Sequence, residues 1–148
     1  MKIQLFSRLT LGTIAFVFFI CSSQLSSAQK LDLKLQVTNV KSAKGDLLVA
    51  VYDSEESYQI IERAIEKFVI SAESPEITIE LSLQNNEYAI VLLHDENRNK
   101  VCDLNFFGIP KEGIGFSNGA RPVFSAPGFN DVKFRLDQSM TTTIELIY

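Results

Sequence analysis

The residues best equipped for chemistry lie in one run, His94 to Asp103, which reads His-Asp-Glu-Asn-Arg-Asn-Lys-Val-Cys-Asp. Asp95, Asn97, Asn99 and Asp103 fall at positions 1, 3, 5 and 9 of a calcium-loop spacing, and the carbonyl of Val101 falls at position 7. In such a loop alternate oxygen-bearing side chains turn inward around a hard cation. With few charged ligands the expected affinity lies in the extracellular range, about 0.1 to 1 mM. Two residues depart from the pattern. Lys100 stands at position 6, where a sharp turn asks for glycine, and Phe106 stands at position 12, where a bidentate Glu is usual. Glu112, farther along, is a candidate source of that carboxylate. The competing arrangement is a chain of Asx turns, in which the same side chains accept hydrogen bonds from their own backbone and no ion is needed.

His94 is the one histidine. A catalytic zinc wants about three protein ligands, commonly several of them histidines, so a zinc enzyme is disfavoured. A hydrolase could recruit His94 with Asp95 and Ser117 or Glu112, but triads are defined by geometry and nothing in the spacing specifies one. The simpler expectation is a strand-end histidine hydrogen-bonded to the loop it introduces. Cys102 occupies position 8, which faces the core in calcium loops, and reads as a small buried hydrophobe.

These residues need a scaffold, and the flanking chain supplies strands. Leu31, Leu33, Leu35 and Val37 alternate with Asp32, Lys34, Gln36 and Thr38, the period-two pattern of a half-buried strand. Leu47 to Tyr52 is more continuously apolar, which suits a central strand, and the turn residues at 39–46 suggest a hairpin with the first. Asp53 to Glu56 can start a short helix that ends by Arg63, and Lys67 to Ile70 can begin a strand. Ile77 to Leu83 alternates, and Tyr88 to Leu93 is apolar on both faces. Val132 to Leu136 and Thr141 to Ile147 complete about seven short strands, the pattern of an all-β, antiparallel β-sandwich.

Residues 94–131 form one long connection. Loops beyond about 15 residues are usually functional or disordered. Five of the seven glycines lie in it, which argues against a strand there. Phe106, Phe107, Phe116, Phe124 and Phe129 lie in it too, which argues for an ordered loop packed onto the sandwich.

Lys2 and Arg8 precede the apolar run Leu9 to Ile20, and Ser26-Ser27-Ala28 offers small residues for cleavage. Residues 1–28 therefore read as a signal peptide, and 29–148 as one exported domain, periplasmic or extracellular. Cleavage would remove Cys21 and leave Cys102 alone, without a disulfide. The chain of 148 residues carries a net charge of −4, and loss of Lys2 and Arg8 takes the remainder to −6. That balance, without a basic cluster, argues against nucleic acid, and no second apolar run reaches membrane length.

The run from His94 to Asn118 resembles the signature of domain of unknown function 2141, a family of small exported bacterial proteins. Glu87 to Ile90 is similar to the family's entry into that signature, and Pro127 to Phe134 to its exit. The family reads Asn-Gly-Asn-Gly after the Asp-Glu pair, and the two glycine positions are here Arg98 and Lys100. The resemblance implies a sandwich of immunoglobulin or transthyretin type and no established activity. The leading expectation is a monomeric, non-enzymatic module that meets a protein or glycan partner through its 94–131 loop. The alternatives are an envelope hydrolase and a structural subunit that pairs through strand edges.

Overall fold

The computed structural model describes residues 29–72 and 75–148. The expected signal peptide lies outside the described residues. Two β-sheets face each other across one core. The first contains β1 (Lys30–Thr38), β4 (Ile77–Gln84) and β8 (Met140–Glu145), in the order β4-β1-β8. The second contains β2 (Asp46–Tyr52), β3 (Glu66–Ser71), β5 (Asn86–Asp95) and β6 (Gly113–Phe116), in the order β3-β2-β5-β6, with β7 (Phe134–Leu136) also pairing β5.

The alternation read from β1 sets its register. Leu33, Leu35 and Val37 point inward opposite Leu81, Ile79 and Ile77 of β4, and Lys34 meets Glu80 on the wet face. β2 and β5 are buried on both faces, as their continuous apolar runs suggested. Leu47, Val49 and Val51 of β2 join Ile90 and Leu92 of β5 in the inter-sheet core. Ala50, Tyr52 and Ala89 point the other way, into a second cluster with Phe116, Phe129 and Val132. That second cluster is covered by the helical turn Phe129–Val132 and by loops rather than by a second sheet.

Several local expectations need correction. β1 and β2 do not form a hairpin: they lie in different sheets, and residues 39–45 carry the chain between them. β1 satisfies its one apolar face by pairing with β4 and, in parallel, with β8. β2, apolar on both faces, takes the more enclosed place between β3 and β5. The segment after Asp53 forms turns and a 3-10 turn over Ile61–Arg63 rather than a regular helix. Val132 ends the short helix α1 (Phe129–Val132), so the strand that follows begins at Phe134. The long loop is not wholly irregular, because β6 lies inside it despite Gly113 and Gly115. A Cβ at Gly113 would come within 2.6 Å of the Tyr148 ring, and one at Gly115 within 2.8 Å of Ile144. These glycines mark close approach of packed groups, not turns.

Gly45 makes the tightest such approach. Its φ is +78°, and an added Cβ would overlap the Asp95 carbonyl oxygen. This is where the inter-sheet crossing touches the start of the loop. Gly119, at φ +66°, has open space around its Cα. The Gly119→Ala variant should therefore lose about 1 kcal/mol, from the left-handed backbone alone. Gly45→Ala should lose at least about 3 kcal/mol, because overpacking adds to that strain. Urea unfolding of the two variants measures both, and equal losses would show that the contact at Asp95 does not matter.

Candidate functional site

The candidate site is the loop that leaves β5 and returns through β6. Asp95, the last residue of β5, is fully buried. Its Oδ1 accepts a bond from the Asn99 N–H at 3.0 Å and its Oδ2 one from the Lys100 N–H at 2.7 Å. Asn97 Oδ1 accepts from the same Asn99 N–H at 2.9 Å, and Asn99 Oδ1 accepts from the Val101 N–H at 2.8 Å. The two amide groups then converge: Asn97 Nδ2 and Asn99 Nδ2 donate to one oxygen of Asp103, at 2.6 and 3.1 Å. Four of the five residues named from the calcium spacing are thus brought together by their side chains. The fifth, Val101, joins through its N–H, and its side chain is exposed.

Glu112 closes the turn from beneath. It is buried, with Oε1 accepting from the Glu96 N–H at 3.1 Å and Oε2 from the Asp103 N–H at 3.2 Å. One carboxylate therefore holds both ends of the turn. Arg98 and Lys100 both have φ 62°, the left-handed conformation that glycine adopts most easily. For side chains with a Cβ that conformation costs roughly 1–2 kcal/mol each, and the carboxylate bonds at Asp95 and Glu112 hold it in place. Phe106, at the other position that departs from the calcium pattern, lies outside this network and is 97% exposed. Among the described residues no group of three or more His, Cys, Asp or Glu is placed to hold a metal ion. A cation in this turn would draw on the Asn97 and Asn99 amides.

The candidate hydrolytic residues are each bonded elsewhere. His94 is fully buried; its hydrogen-bond partners lie outside the loop it introduces, and from that loop the Glu96 carboxylate comes to 3.9 Å of Nδ1. Nε2 lies 2.8 Å from the Lys44 carbonyl, which can only accept, so Nε2 carries the proton. Nδ1 lies 2.7 Å from the Tyr148 hydroxyl, which in turn accepts from the Lys41 N–H at 3.0 Å. Burial pushes the Tyr148 phenol above its usual range; the Lys41 bond opposes this and nearby Glu96 adds to it. This ring pair ties the inter-sheet crossing, the end of β5 and the segment after β8 together. Ser117 Oγ accepts from the Ile90 N–H at 2.9 Å and donates to the Val132 carbonyl at 2.8 Å, which fixes α1 over β5.

The apolar residues in the rest of the loop are only partly packed. Phe116 and Phe129 are buried, but Phe106, Phe107 and Phe124 are not, contrary to the expectation that all five pack onto the sandwich. Asn105 folds residues 104–110 into a tight turn: its Oδ1 accepts from the Phe107 and Ile109 N–H groups, at 2.9 and 3.0 Å. Phe106 and Phe107 are lifted to the tip of that turn. On the other side, Tyr58 Oη and Gln59 Nε2 donate to the Pro127 carbonyl and anchor the limb 122–127. Between the two limbs lies an open cleft of about 570 Å³. Val91, Ile114 and Phe116 line it from β5 and β6, Leu104 and Ile109 from one limb, and Phe124 from the other. Cys102 lines it as well and is half-buried rather than core. Burial first, then the carboxylates of Glu112 and Asp103, push its thiol pKa up, which keeps it protonated near neutral pH. Sequence reasoning missed this cleft. The available signal was Leu104, Ile109 and Val123, apolar residues in a loop with no periodicity to bury them.

The molecule is an all-β sandwich with a hydrogen-bonded turn and an apolar cleft on one outer face. Among the described residues no helix is long and apolar enough to cross a membrane. The family model described as "uncharacterized protein conserved in bacteria", domain of unknown function 2141, matches residues 35–145, and the chain belongs to that family. No curated protein and no solved structure matches it.

The turn's energetics can be measured directly. Asp95→Ala strands the Lys100 N–H, leaves the Asn99 N–H to Asn97 Oδ1 alone, and should cost about 2–4 kcal/mol. Lys100→Gly relieves the left-handed strain and should gain about 0.5–1 kcal/mol after the added chain entropy of glycine. Chemical denaturation of both variants checks the pair. A destabilised Lys100→Gly would mean that the lysine side chain, not the backbone, is what the turn needs.

Proposed function

We propose that this protein is an exported, non-enzymatic β-sandwich module that recognises a ligand or partner through its 94–131 loop. The observation that carries this reading is the apolar cleft, which lies between two limbs held by named hydrogen bonds and opens at exposed Val123 and Phe124. Apolar rims around a preformed concavity are what a recognition site requires. The leader-like residues 1–28 support export. The protein recovered after export should therefore begin at Gln29, as N-terminal sequencing would show; an intact Met1 would overturn export. A cognate ligand at a hundredfold excess over its Kd stabilises by about 2.7 kcal/mol. A fractionated extract of the exported compartment should then contain a fraction that raises the melting temperature. The exposed-site variant Phe124→Ser should lose that response while melting like the wild type. Equal responses in the two proteins would remove the cleft from recognition.

A second reading adds a calcium ion to the 95–103 turn. It is favoured by the convergence of Asn97 and Asn99 on Asp103, with the Glu112 carboxylate beneath, and by Lys100 adopting the backbone that position 6 demands. To bind the ion, both amides must rotate and present oxygen in place of nitrogen. Millimolar calcium should raise the melting temperature of the wild type and leave Asp103→Ala unmoved; no shift in the wild type sinks this reading.

A further inference from the structure

We propose that the cleft takes an uncharged, apolar small molecule, a hydrocarbon chain or ring system, and not a sugar, a peptide or an anion. This rests on the reading that the 94–131 loop is the recognition surface, and it names the ligand class. Size comes first. About 570 Å³ falls within the roughly 300–1,000 Å³ of small-molecule sites.

The lining decides the chemistry. None of the residues that line the cleft is Asp, Glu, Lys, Arg or His. A charged ligand would be desolvated there with no counter-charge, which is unfavourable by several kcal/mol. The lining side chains with hydrogen-bonding groups are Gln59, Cys102 and Ser125. The Gln59 amide donates to the Pro127 carbonyl at 3.2 Å, and Ser125 Oγ donates to the Ala126 carbonyl at 3.4 Å. The Cys102 thiol is a weak donor. A hydroxyl-rich glycan would give up its water for few side-chain partners. A peptide would bring backbone N–H and C=O groups to a floor where β6 is paired with β5 on one edge and, at Ile114, with Ile147 on the other. An apolar molecule meets none of these penalties. It covers Val91 and Ile114 on the floor and Ile109 and Phe124 on the walls, surface that is otherwise partly in water.

The test is a fluorescence titration of the exported protein with N-phenyl-1-naphthylamine, an uncharged apolar probe. In parallel, 8-anilinonaphthalene-1-sulfonate supplies nearly the same rings with a negative charge. The wild type should bind the neutral probe saturably at one site, and the sulfonate at least about tenfold more weakly. Ile109→Glu puts a carboxylate on the wall at an exposed position and should weaken the neutral probe by at least about tenfold, with an unchanged melting temperature. Phe106→Ala, at the tip and outside the lining, should bind it like the wild type. Bound neutral probe should also slow the alkylation of Cys102 by iodoacetamide, because the thiol shares the cleft. If both probes bind equally and both respond to Ile109→Glu, the ligand class is overturned and the recognition site stands. If neither probe saturates, or Ile109→Glu binds like the wild type, the cleft is not a small-molecule site and the proposal falls. Capture of the protein by phosphatidylcholine vesicles that depends on Phe106 and Phe107, without probe binding, would likewise overturn it in favour of a membrane surface.

Discussion

The strand β5 cannot simply end. It is buried on both faces and flanked by β2, β6 and β7, and its last residue is a carboxylate with no access to water. A buried carboxylate is tolerable only when its oxygens accept hydrogen bonds, and charge-assisted bonds contribute about 1.5–3 kcal/mol each. Asp95 meets that requirement by drawing in the N–H groups of Asn99 and Lys100. The backbone must then turn sharply, and it does so through left-handed residues at Arg98 and Lys100. Glu112 repeats the solution from the returning limb, so that two buried acids fold the first part of the loop onto the end of the sheet. The direction of the chain beyond β5 follows from this.

The scaffold was largely legible, for a plain reason. One-sided burial writes period two into β1 and β4, and two-sided burial writes the continuous runs of β2 and β5. Pairing partners were not legible, because an apolar face states that it needs cover without naming what covers it. Hence β1 and β2 read as neighbours while each found longer-range partners, and the parallel pairing of β8 with β1 left no mark in either sequence. Glycine misled in β6 for a related reason. It signals either a turn or a close approach, and only the positions of Tyr148 and Ile144 show which.

The site was half legible. Oxygen side chains at alternate positions announced a turn built on Asp95, Asn97, Asn99 and Asp103, because Asx chemistry is local and spacing encodes it. His94 could not be read in the same way. Its partners are Lys44 and Tyr148, and contacts that distant leave no spacing to recognise. The phenylalanines mark the same limit. Phe116 and Phe129 pack in the second cluster, whereas Asn105 lifts Phe106 and Phe107 into solvent, and composition does not separate the two groups.

The polar turn and the apolar cleft meet at Cys102 and Leu104. Asp103 is gripped on one side by the Asn97 and Asn99 amides and on the other by Glu112, through its own N–H. Its immediate neighbours in the chain line the cleft. A wall that must be ordered on binding subtracts that ordering from affinity, and a wall already held does not. The carboxylate network therefore preorganises one side of the cleft, while Tyr58 and Gln59 at Pro127 preorganise the other. On the proposed reading, tightening of the 95–103 turn would steady the adjoining wall at Leu104 as well. Two features that look unrelated in the sequence, an acid-amide run and scattered loop hydrophobics, thus become coupled parts of one surface.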